Sequence, residues 1–152
     1  MVYKIMYPPI PNMGDLLNKD MLEELFNIKV VRKDLKSCNL IAIGSALDHI
    51  MYSTYPKIRA KQKIEHFIND NVHIWSTGFI RGNAELDLGL IFRHIHIHAL
   101  RGRLSLQRME NILGKKLDVP TGDGGLLAER WLGFYPEKKY RVGIIPHFKE
   151  QD

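Results

Sequence analysis

Six short apolar runs, each broken off by Gly, Asp, Asn, Ser or His, set the pattern of the chain. They end at YKIMYPPIPNMGD (Tyr3–Asp15), NLIAIGS (Asn39–Ser45), VHIWSTG (Val72–Gly78), IHIHALRGR (Ile95–Arg103), DVPTGD (Asp118–Asp123) and RVGIIPH (Arg141–His147). Between them lie stretches with helical spacing. Leu16, Leu17, Met21, Leu22, Leu25 and Phe26 share one face of a helix over Leu16–Phe26, and Asn12 or Asp15 is placed to cap it. Lys57–Asn69 and Leu104–Leu113 have the same period, the second stopped by Gly114. Gly124–Trp131 reads as a further short helix.

Tyr3–Tyr7, Ile28–Arg32, Asn39–Ser45, Val72–Thr77, Phe92–Leu100 and Tyr140–Pro146 read as strands, and Phe79–Leu90 as a loop. The continuous apolar run at Asn39–Ser45 suits a strand covered on both faces. Strands alternating with helices predict one α/β domain over residues 1–152, a doubly wound and mostly parallel sheet flanked by helices. In such sheets ligands bind outside the carboxyl ends of the strands. Asn12, Gly14, Asp15, Gly44, Ser45, Thr77, Gly78, Arg101, Gly102, Asp123 and His147 are therefore expected along one rim.

Composition narrows the class without choosing a function. The 152 residues are 45% hydrophobic and 26% charged, ordinary for a globular chain with its own core. No apolar run approaches the ~20 residues of a membrane span, and the N-terminus lacks the pattern of a secretory signal. The single Cys38 excludes an internal disulfide and fits a reducing cytoplasm. The net charge of +5 suits an anionic ligand or peripheral association with an anionic membrane surface. Its basic clusters lack interleaved aromatics, so no nucleic-acid partner is expected.

The candidate chemistry lies at the rim. Pro11–Asn18 sets a glycine turn before a helix, where free amides attract an anion, although Asp15 in the same field suits a hydroxyl donor such as a sugar better. Arg101, followed by Gly102, presents a planar cation at a strand end. Two readings stand: capture of a carboxylate or phosphate, or an ion pair with Asp123. Both require Arg101 close to Asp123. Within TGDGGLL the Asp123 side chain is placed to cap the following helix. His147 after IIP is the candidate acid or base. His94, His96 and His98 share one strand face, but successive same-face positions lie ~7 Å apart, too far for three to share a zinc ion, and no metal or cofactor is assigned. They read as packed under a helix or against a partner, and Trp75 and Trp131 as core.

In order and spacing, NMGDLLN, LIAIGSAL, IWSTGFIRG, ALRGRLS, TGDGGLL and VGIIPHF resemble the polysaccharide pyruvyltransferase family, with one departure at Gly124, where the family usually has Pro. The resemblance covers nearly the whole chain and the first half of such an enzyme. It implies a Rossmann-like domain, one half of the two-domain GT-B architecture, and transfer of pyruvate as a ketal from phosphoenolpyruvate to a sugar of a cell-surface polysaccharide precursor. It places Asn12, Gly14, Asp15, Asn18, Ser45, Gly78, Arg101 and Asp123 on the substrate-binding side and His147 as the catalytic candidate. The family's SxRLHxxI-type motif, which handles phosphoenolpyruvate, has no counterpart here. The expectation is an acceptor-side half that binds a sugar or lipid-linked saccharide in the cytoplasm, at the inner face of the membrane. It meets phosphoenolpyruvate only when a second domain is supplied. A non-enzymatic sugar-binding or assembly module of the same fold is the alternative. Apolar Phe134, Tyr135 and Phe148 point to homo-oligomers.

Overall fold

The computed structural model describes residues 2–8, 12–34, 37–50, 71–80, 94–135 and 137–144. Five parallel strands form one sheet in the order β2-β1-β3-β4-β5: β1 Val2–Ile5, β2 Lys29–Arg32, β3 Leu40–Ile41, β4 Val72–Thr77 and β5 Ile95–Leu100. Helix α1 (Met13–Phe26) connects β1 to β2, α2 (Arg103–Leu113) follows β5, and α3 (Ala128–Leu132) follows a 3-10 turn at Gly124–Leu127. The chain is thus an α/β protein with a parallel sheet, as the alternation of apolar runs predicts. Among the described residues no helix is long and apolar enough to cross a membrane.

Period-two alternation divides the core between the two sheet faces. On one, Val72 and Ile74 of β4 meet Leu100 of β5 and Met109 of α2, with Ile95, Ile97, Leu106 and Ile112 packed around them. On the other, Ile5, Val30, Leu40 and Ala42 pack with Leu22 of α1. Leu40 and Ile41 enter opposite clusters, so β3 is covered on both faces. Its ladder is nevertheless shorter than the apolar run Asn39–Ser45. Gly44 takes a left-handed φ of 109°, and the side chain of Asn18 claims the carbonyl of Ile43.

Several expectations need correction. Residues 140–144 form no strand and are exposed, Ile144 at 87%; the apolar run there has no neighbouring strand to pair with among the described residues. On α1 the buried apolar positions are Met21 and Leu22, while Leu16 and Phe26 are half exposed. Leu104 opens α2 facing solvent. Trp131 is not core: it is half-buried and its indole N–H donates to Glu24 at 2.8 Å. Phe134 and Tyr135 are exposed as expected. The helix at Lys57–Asn69, most of the Phe79–Leu90 loop, Phe148 and His147 lie outside the described residues.

Helices α1 and α2 are each clamped to the segment downstream by the same device. Glu23 accepts from Lys19 Nζ at 2.7 Å and from the Val30 amide at 2.8 Å; Glu110 accepts from Lys116 Nζ at 2.8 Å and from the Leu117 amide at 3.0 Å. The lysine bond first, then the amide, holds each carboxyl below its ordinary range. A carboxylate depressed in the folded state contributes stability above its unfolded pKa of about 4.3, and that stability is lost as pH falls through the folded value. Thermal midpoints are therefore expected to fall on acidification below that point. The fall should be shallower in a Glu23→Gln, Glu110→Gln double variant; equal slopes would contradict the clamp.

Candidate functional site

The rim at the carboxyl ends of the strands is assembled mainly by backbone and side-chain hydrogen bonds between neighbouring turns. Asn12 is extended and caps α1, its Oδ1 accepting from the Gly14 amide at 3.0 Å, with Asp15 in the first turn. Asn18 lies one turn deeper, fully buried. Its Nδ2 donates to the carbonyls of Asp15 and Ile43, each at 3.1 Å, tying the first turn of α1 to the end of β3. Gly44 bridges to Thr77. Thr77 Oγ1 donates to the Gly44 carbonyl and accepts from the Ala46 amide, both at 3.1 Å. The turn that carries Ser45 is therefore fixed to the end of β4.

Arg101 leaves the end of β5, its amide donating to the Thr77 carbonyl at 3.0 Å. Its Nε donates to Asp123 Oδ2 at 2.8 Å and its Nη1 to Ser45 Oγ at 2.7 Å. Arg101 and Asp123 are thus together, as both readings of the arginine require. Gly78 makes room for this. A Cβ there would lie 2.8 Å from Ser105 Oγ and 3.0 Å from Arg101 Cβ, so any larger residue would displace the arginine.

Asp123 works twice: Oδ2 holds Arg101, while Oδ1 accepts from the Gly125 amide at 2.9 Å and caps the 3-10 turn. The turn itself is held by Ser76. Its Oγ donates to the Gly122 carbonyl at 2.6 Å and accepts from the Gly124 amide. Ser76 reaches both from a left-handed φ of 61° at a register shift in β4, a conformation costly for a residue with a Cβ and common at functional sites. The amide of Gly124 is in use here, whereas a proline at that position has none to give.

Asn12, Gly14, Asp15, Gly44, Ser45, Arg101, Asp123 and Gly125 line one open cavity of about 540 Å³. Gly78 and Asn18 stand behind its wall, and His147 lies outside the described residues. The guanidinium is flanked by Asp123 and Ser45, and Asp15 shares the cavity wall. Such a wall mixes donors and acceptors, which suits a polyhydroxylated ligand more than a bare anion. The Arg101–Asp123 pair is partly exposed, at 44% and 30%, and pairs of this kind contribute only about 0–1 kcal/mol to stability; its role is to aim the guanidinium.

The helix-packed reading of the histidine face needs correction. His94 precedes β5, and His96 and His98 are exposed rather than packed under a helix. His73 of β4, which drew no attention in the sequence, lies beside both, its ring centroid 5.0 Å from His96 and 5.2 Å from His98. Burial, then the neighbouring His98 and His96, holds the His73 ring below the usual imidazole range. This face is the α1 side of the sheet, away from the cavity.

No protein-family model matches the sequence, and no solved structure matches it. A curated relative, "Uncharacterized protein L143" of Acanthamoeba polyphaga mimivirus, is 28% identical over 142 residues, which cover 92% of this chain. The chain spans 43% of that relative's length.

Proposed function

We propose that these residues form the acceptor-side domain of a polysaccharide pyruvyltransferase-like enzyme of GT-B-like architecture, working at the inner face of the membrane. The supporting observation is the cavity at the strand ends, where Arg101 is aimed by Asp123 and Ser45 opposite the capped first turn of α1. In this reading the cavity takes a sugar of a saccharide or lipid-linked precursor. Hydroxyl groups pair with Asp15, Asp123 and Asn12, while Arg101 faces the donor, whose departing phosphate carries off the electron pair of the broken C–O bond as the sugar oxygen bonds to carbon. The cations for the carboxylate and phosphate of phosphoenolpyruvate come from a second domain. Self-association through exposed Phe134 and Tyr135 is part of the same proposal.

One arginine on an open wall faces water, where high dielectric and salt weaken its pull on a charged donor. The 152 residues incubated with phosphoenolpyruvate and a galactoside or mannosaminyl lipid are therefore expected to give no ketal methyl signal by NMR. Robust turnover would overturn the division of labour between two domains. Glycoside binding that is retained while a supplied second domain still yields no transfer would favour a non-enzymatic sugar-binding module instead.

A further inference from the structure

We propose that the imidazole row on the β4–β5 face is a binding site for a divalent transition metal of the Cu(II) or Ni(II) class, chelated by His73 Nδ1 and His98 Nε2. The objection to a metal on this face is the spacing along one strand, which keeps same-face histidines apart. It does not apply between strands. β4 and β5 are paired in parallel with His73 opposite His96, and the register shift after Ile74 brings His98 within reach as well. His73 Nδ1 and His98 Nε2 stand 2.9 Å apart, with ring planes 14° from parallel and centroids 5.2 Å apart. Because the nitrogens are so much closer than the centroids, the rings meet edge to edge rather than face to face.

Imidazole ligation selects the class of metal, and the separation, now that of a hydrogen bond, is compatible with it. With metal–nitrogen bonds of about 2.0–2.1 Å, two nitrogens in cis positions of a square or octahedral centre lie roughly 2.9 Å apart, and in a tetrahedron roughly 3.3 Å apart. The observed distance, though not yet the direction of the lone pairs, agrees with the cis arrangement that Cu(II) and Ni(II) prefer, and imidazole favours the same end of the affinity order. Among the described residues no three His, Cys, Asp or Glu side chains are drawn together as a metal centre, so the site is an open two-imidazole chelate completed by water. Binding requires the proton shared between the two nitrogens to move to the far nitrogen of its ring, a tautomer change with no net loss of charge. The two nitrogens now point at one another along a hydrogen bond, so each ring must swing by roughly 45° to converge on one ion; His98 is exposed and His73 half-buried, which leaves room for that motion. Beside them lies an apolar hollow of about 240 Å³ walled by Tyr3, Leu22, Phe26 and Trp75. His96 stacks on His73 but is engaged elsewhere, its Nε2 meeting Asn71 Oδ1 at 3.2 Å.

The test uses the untagged chain at pH 7.5, titrated with Cu(II), Ni(II) and Zn(II) separately by calorimetry, with EPR on the Cu(II) form. One Cu(II) per chain is expected, with equatorial nitrogen coupling and Zn(II) held more weakly. His73→Asn and His98→Asn should each weaken Cu(II) roughly tenfold or more, while His94→Asn leaves it unchanged. As a check that does not depend on the variants, Cu(II) should raise the thermal midpoint of the wild-type chain and EDTA should reverse the rise. Equal Cu(II) affinity in the wild type and a folded His73→Asn, His98→Asn double variant would overturn the site. So would dependence on His94, or Zn(II) binding as tight as Cu(II).

Discussion

Gly124→Ala is expected to cost the protein about 2 kcal/mol or more, a large loss for one methyl group in a turn. A Cβ at this position would lie 2.9 Å from two ring carbons of Trp75 and 3.0 Å from Ser76 Oγ. Neither neighbour gives way cheaply. Trp75 is partly buried against the core beneath α1 with Phe26 edge-on at 5.6 Å, and Ser76 is bonded to Gly122 and to Gly124 itself. The methyl therefore pushes the turn outward and carries Asp123 away from Arg101. Urea unfolding measures the loss, and the Trp75→Leu background tests its cause. With the ring gone the same Gly124→Ala change should cost much less, a coupling expected of residues in contact. Strict additivity of the two substitutions would place the strain elsewhere.

Thr77→Val should cost about 1–3 kcal/mol although it barely changes side-chain volume. Thr77 is fully buried, and its hydroxyl satisfies the Gly44 carbonyl and the Ala46 amide. Valine leaves the Ala46 amide without that partner in a dry environment, where an unmet group costs about 1–3 kcal/mol, while the Gly44 carbonyl keeps the Gly78 amide. The backbone bonds Gly78 to Gly44 and Leu47 to Gly78 remain, so the fold should survive while the Ser45 turn loosens. Thr77→Ser keeps the hydroxyl and should recover most of the loss. A valine variant as stable as the wild type, with serine the costlier change, would show that the methyl group, not the hydroxyl, matters here.

Much of this arrangement is legible from the residues alone, for identifiable reasons. Val72–Thr77 is a strand over its full expected length, because an apolar run ended by Gly78 carries both the pattern and the stop. The pairing of Arg101 with Asp123 follows from two polar groups at the ends of runs that prove to be neighbours. Asn12 capping α1 is legible from its place before a helical period. Ser76 is not legible: nothing in a strand sequence marks a serine that turns left-handed at a bulge. His73 stays hidden for a related reason, since cross-strand register is decided by distant pairing rather than local pattern. Asn18 counts among the expected ligand contacts, yet it is fully buried and serves as a tether; helical spacing places it on the inner face with Met21 and Leu22. The apolar residues at 140–144 match a strand pattern, but a pattern becomes a strand only where a neighbour supplies the ladder.

The most direct test is a titration of the isotope-labelled chain with a methyl glycoside, followed in its amide spectrum. Weak binding is expected, on the order of millimolar, with shifts concentrated at Gly14, Gly44, Ser45 and Gly125 around the cavity. Arg101→Met and Asp123→Asn should each abolish those shifts while leaving the rest of the spectrum in place, because their exposed pair contributes little to stability. Absence of rim shifts at glycoside concentrations of roughly a hundred millimolar, or shifts confined to the β4–β5 histidine face, would contradict a saccharide site at the strand ends.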